Sequence, residues 1–73
     1  MNYEELKRQI GKAGLTNKAF AELIGINPNS VTNFKKNGVP SNIAIIAVLI
    51  AEMKEHRIDF EDIVKKAVYE LGG

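Results

Sequence analysis

The stretch that decides the reading is "NKAFAELIGINPNSVTNFKKNG", Asn17–Gly38. Its apolar residues fall at helical spacing in two short groups: Phe20, Leu23 and Ile24 before Gly25, Val31 and Phe34 after it. Thr16 caps the first group, and Gly25 closes it by supplying a left-handed conformation. Asn27 is a good N-cap for the second group, and Pro28 stands at the first helical position, where its missing N–H costs nothing. Asn37-Gly38 stops that helix. The stretch reads as two short helices joined by a turn of about four residues with glycine at its start, the outline of a helix-turn-helix. Asn29, Thr32, Asn33, Lys35 and Lys36 are then left without a core to cover. They call for a partner or for plain solvation.

Working outward, the same period continues on both sides. Tyr3, Leu6, Ile10 and Ala13 are spaced for one helix, with Asn2 as cap, Glu5 three residues on, and Gly14 ending it. After "VPS", a cap at Ser41 opens a fourth helix that runs to about His56. Asp59 caps a fifth, whose buried stripe is expected to be Phe60, Ile63, Val64, Ala67 and Leu71. Acids in its first turn and lysines beyond suit the helix dipole. No segment alternates in the manner of a strand, and no hairpin dipeptide appears. The expectation is an all-α fold: one compact five-helix domain spanning residues 1–73.

Composition narrows the function classes. With 45% hydrophobic and 26% charged residues in a 73-residue chain, the sequence is that of a small globular domain. It has no cysteine, so neither disulfides nor thiolate metal sites supplement the core, and a reducing cytoplasm suits it. The N-terminal segment carries acids and does not read as a secretory signal. The longest apolar run, Ile43–Ala51, is far short of the roughly twenty residues of a membrane span. Charge is unevenly spread. Residues 1–38 carry Lys7, Arg8, Lys12, Lys18, Lys35 and Lys36 against Glu4, Glu5 and Glu22, whereas acids outnumber cations in residues 39–73. A basic front half suits one face turned toward a polyanion.

Residues 16–38 resemble the helix-turn-helix of the lambda-repressor/Cro-like, or XRE-type, regulators. Phe20, Ala21, Ile24, Gly25, Ile26, Val31 and Phe34 match that family's apolar, small, apolar, glycine, apolar, apolar, apolar pattern. Each place has a cause: Ala21 lets the two helices approach, Gly25 turns the chain, and Ile26 plugs the gap between them. The resemblance implies a third helix lying in the DNA major groove, with Pro28, Asn29, Thr32 and Asn33 on base edges. It implies phosphate contacts from Asn17, Lys18 and Asn27, from Lys35, Lys36 and Asn37, and from the N–H groups at Ser41 and Asn42. Asn suits adenine and Thr the thymine methyl. Pro28 offers only apolar contact and the helix holds no arginine for guanine, so A·T-rich half-sites are expected.

Other readings stand beside these. Asn27 can be simply a cap, Asn29 and Asn33 solvated polar residues, and Lys35-Lys36 a soluble helix end. His56 has no ligand-spaced companion, and no catalytic set or phosphate loop is visible, so neither an enzyme nor a metal or cofactor site is expected. The fourth helix is apolar all round, and a partner is expected to seal it: a homodimer through Ile45, Val48, Leu49 and Glu52. The alternative is that the first and fifth helices cover that face. The expected activity is that of a cytoplasmic, Cro-like transcriptional regulator, a repressor in the first instance. Its partners are double-stranded DNA and a second copy, with no membrane and no small-molecule ligand. The competing class is a protein-interaction module of the same fold, antitoxin-like or an assembly adaptor.

Overall fold

The computed structural model describes residues 1–72, the side chains of 71 and 72 excepted. Five α-helices follow one another: α1 (Tyr3–Lys12), α2 (Asn17–Ile24), α3 (Pro28–Asn37), α4 (Ser41–Glu55) and α5 (Phe60–Ala67). The last runs into a π-helical turn, Val68–Gly72. No strand occurs among the described residues, as the sequence led us to expect.

Local chemistry sets most helix ends. The side-chain oxygens of Asn2 and Thr16 accept the backbone N–H groups of Glu5 and Ala19 at 2.8 and 3.0 Å. Asp59 accepts from Glu61 N–H at 3.3 Å. Gly25 ends α2 at φ 81°, and the next N–H, on Ile26, donates back to the Ala21 carbonyl at 2.9 Å. Space restricts Gly25 as well as backbone angle. A Cβ there would lie 3.1 Å from Cγ1 of Val68, so the C-terminal turn packs directly on the α2–α3 corner.

One end differs from expectation. Pro40, not Ser41, is the N-cap of α4: its carbonyl accepts the Ala44 N–H at 3.0 Å, and Ser41 is already helical. Because proline has no side-chain acceptor, α4 begins without a side-chain cap.

The core is built around α1, which packs on α4, α2 and α3. Leu6 and Ile10 meet Phe20 and Ala21 of α2, Val31 of α3, Ala47 and Ile50 of α4, and Phe60 of α5 in one cluster. Full burial of a side chain of this size contributes about 1.5–3 kcal/mol. Ala21 is wholly buried in this cluster, in keeping with the small residue that close helix approach requires.

The expected stripe on α5 is only partly right. Phe60 is buried and Val64 half-buried, but Ile63 and Ala67 face solvent, and Leu71 falls among the undescribed side chains. The inward positions are Phe60, Val64 and Val68, four apart. Only this edge of the short helix meets α2 and α4, so the rest of its apolar surface has nothing to pack against. The outer face of α4 is uncovered too. Ile43, Ala47, Ile50 and Ala51 are buried, while Ile45, Val48 and Leu49 are 58%, 38% and 52% exposed. Cover from α1 and α5, the alternative allowed by the sequence, is therefore not what forms.

Candidate nucleic-acid interface

Val31 and Phe34 decide which way α3 faces. Val31 is fully buried and Phe34 packs against the core, so the opposite side of the helix is turned to solvent. At about 3.6 residues per turn, Asn29, Thr32, Asn33 and Lys36 line up on that outer side. All four are exposed. Pro28 is half-buried at the flank, and Lys35 lies exposed on the same flank. The register thus separates the two lysines: Lys36 continues the Asn29–Asn33 stripe, and Lys35 does not.

The first turn of α3 keeps its backbone donors for itself. Asn27 Oδ1 accepts the Asn29 N–H at 2.8 Å, the Asn27 carbonyl accepts the Ser30 N–H at 2.9 Å, and Pro28 has no N–H. Asn27 is therefore a cap through its oxygen, with only its amide NH₂ left to meet a partner. This helix tip presents side chains rather than N–H groups. The start of α4 is the reverse. With Pro40 as N-cap and no side-chain cap, the N–H groups of Ser41 and Asn42 stand at the positive end of a 15-residue helix. Only Gly38, Val39 and Pro40 separate this end from Asn37, a reach of at most about 14 Å.

Asn17 is tied down. Its side-chain amide donates to the Tyr3 hydroxyl at 2.9 Å, which joins the first turn of α2 to the first turn of α1. Lys7 lies over the Tyr3 ring, its Nζ 5.9 Å from the centroid. The sequence reading did not include Lys7 in the site. The Tyr3–Lys7 spacing of four was visible, but the pairing of Tyr3 with Asn17, fourteen residues away, was not.

The electrostatics are simple. α3 contains no acid, and among the described residues no carboxylate lies within 4.0 Å of Lys18, Lys35 or Lys36. The ion pairs lie elsewhere: Arg8 with Glu5, Lys12 with Glu55 at 3.9 Å, and His56 with Glu52 at 3.7 Å. No polar side chain is buried among the described residues, so any polar recognition takes place on the surface.

The residues expected at a dimer contact lie apart from α3. Ile45, Val48 and Leu49 project from the outer face of α4, with the exposed Glu52 one turn beyond Val48, its carboxylate turned toward His56. Met1 and Ala44 join the first three around a shallow apolar depression. Searches of family models, curated proteins and solved structures find no match to this chain.

Proposed function

We propose that this chain is a sequence-specific double-stranded DNA-binding protein of the lambda-repressor-like helix-turn-helix type, reading the major groove with α3. In this reading it acts as a small transcriptional regulator, occupying an operator and excluding polymerase. The observation that carries the proposal is the exposed, acid-free stripe of Asn29, Thr32, Asn33 and Lys36 on a helix held by Val31 and Phe34. Asn29 and Asn33 match the donor–acceptor pair of adenine, and the Thr32 methyl matches that of thymine. Lys36, farther along the stripe, supplies a cation to guanine O6/N7 or to a phosphate at the far edge of the groove.

The sides of the groove are met by groups that carry no sequence information. These are Lys35, Asn37, Lys18, the free amide of Asn27, the junction of Asn17 with Tyr3, and the open N-terminus of α4 at Ser41 and Asn42. Lys7 extends this set onto α1.

The test is a titration against duplex DNA across a salt series. Wild type should bind with an affinity that falls steeply as salt rises. Asn29→Ala should cost about 1–3 kcal/mol and relax discrimination at one base position. Equal affinity of wild type and Asn29→Ala for every duplex would sink the reading. The uncovered apolar face of α4 favours a second reading, a protein-interaction module, in which Asn29→Ala has no effect on the partner bound.

A further inference from the structure

We infer that Val68, the first residue of the C-terminal turn, is a positioning residue for α3: it braces the α2–α3 corner and so fixes the direction in which α3 points.

α3 packs chiefly on α2, and less on α1. Val31 is its one buried side chain. Its direction is therefore set largely at the corner, where Gly25 stands at φ 81°. A glycine reaches that conformation without strain but does not lock the chain into it, so other groups must. One restraint is Ile26, which packs against the core while its N–H donates to the Ala21 carbonyl at 2.9 Å. The other is Val68. Its Cγ1 lies 3.1 Å from the place of a Cβ on Gly25, and among the described residues nothing else beyond the chain neighbours comes within 4 Å of that place.

Val68 is itself well held. It lines one groove with Ile24 and Val64, and its backbone is helical at φ −62° and ψ −45°. In helical backbone the branched Cβ of valine leaves one strongly preferred rotamer, so its methyl is a fixed stop. The residue is only half-buried, which makes it a brace rather than part of the main core.

Small angles matter here. The ten residues of α3 span about 15 Å, so a tilt of about 4° at the corner carries the far end, with Lys36, about 1 Å. Hydrogen bonds tolerate a range of only about 0.5 Å. Loss of the brace should therefore cost base reading before it costs the fold. That consequence rests on the reading of α3 proposed above; the hold on the corner does not.

The experiment is amide hydrogen exchange by NMR on the full chain, wild type against Val68→Ala. The Ile26 N–H should lose protection about tenfold more than the Ile10 N–H of α1. Val68→Thr, which keeps two γ atoms on a branched Cβ, should restore it. Tyr69→Ala, on the same turn but 84% exposed, should leave it unchanged. Equal losses at Ile26 and Ile10 would mean that Val68 adds only general stability, and would overturn the inference; so would an unchanged Ile26. Melting of Gly25→Ala, Val68→Ala and the double variant checks the contact itself. The combined loss should fall short of the sum by about 4 °C or more, because Val68→Ala removes the atom that the new Cβ meets. Strict additivity overturns the brace. Titration with an A·T-rich duplex selected by wild type, against a scrambled one, reads the consequence for α3. Val68→Ala should lower the ratio of the two affinities at least about fivefold, as loss of one base contact would, and Val68→Thr should not. An undiminished ratio in Val68→Ala overturns the positioning role. A wild-type ratio of one refutes DNA reading instead, and exchange at Ile26 then decides the hold on the corner.

Discussion

The Tyr3 hydroxyl accepts a hydrogen bond from the Asn17 side-chain amide at 2.9 Å, fastening the start of α2 to the start of α1. The pair is part-buried and lies where the proposed interface passes from α2 to α1. Tyr3→Phe keeps the ring beneath Lys7 and removes only the hydroxyl. It should cost about 0.5–1.5 kcal/mol, a melting temperature lower by several degrees. DNA affinity should fall by a similar factor for all sequences, because Asn17 is assigned to phosphate. An unchanged melting temperature would show that the bond does no structural work.

The two adjacent lysines of α3 should differ. Lys36 lies on the stripe with Asn29 and Asn33, whereas Lys35 sits on the flank. Lys36→Ala should weaken specific binding about tenfold, and Lys35→Ala no more than about threefold. Each removal of a phosphate contact should reduce the salt slope by about one. Titration of the two variants against one duplex decides it. Equal losses would mean that both lysines act only through long-range attraction.

Two glycines should respond to alanine with opposite signs. Gly25 has φ 81°, and a Cβ there would stand 3.1 Å from Val68. Gly25→Ala should therefore destabilise by about 1–3 kcal/mol. Gly11 lies inside α1 with nothing within 4 Å of an added Cβ. Gly11→Ala should stabilise by about 0.5–1 kcal/mol. Urea unfolding of both variants measures the two effects together. A harmless Gly25→Ala would contradict the tight α2–α3 corner.

Arg57 is the one non-glycine residue at positive φ among those described, at 60°. It closes α4, with its own N–H donating to the Lys54 carbonyl at 3.0 Å and the Ile58 N–H to the Met53 carbonyl at 2.8 Å. Its side chain is exposed and in none of the ion pairs. Arg57→Gly removes left-handed strain of about 1 kcal/mol and gives back part of it through the freer unfolded chain. The net gain should be about 0.5 kcal/mol, read as a small rise in melting temperature.

The sequence was most legible where structure follows from neighbouring residues. Thr16, Gly25, Asn27 and Pro28 act within a turn of themselves, and the two helices they bound came out as read. Ser41 was misjudged by one place because Pro40, an unusual N-cap, takes that role through its carbonyl alone. The stripe on α5 was misjudged for a different reason. Helical spacing says which residues share a face, but burial depends on what packs there, and little packs on Ile63 or Ala67. The outer face of α4 was legible by contrast: a helix apolar all round in so small a domain is expected to leave one face uncovered, and Ile45, Val48 and Leu49 are exposed. Within the candidate site, the exposure of Asn29, Thr32 and Asn33 was readable from Val31 and Phe34. Counting seven on from Asn29 would have put Lys36 on the same stripe. The Tyr3–Asn17 bond was out of reach because it joins separate helices.

If α3 reads a DNA sequence, selection from a random duplex pool at moderate salt should enrich an A·T-rich motif, repeated as a palindrome with half-sites about one turn, roughly 10 bp, apart. A bound fraction with no enriched motif, released uniformly as salt rises, would contradict it and leave only nonspecific attraction to phosphate.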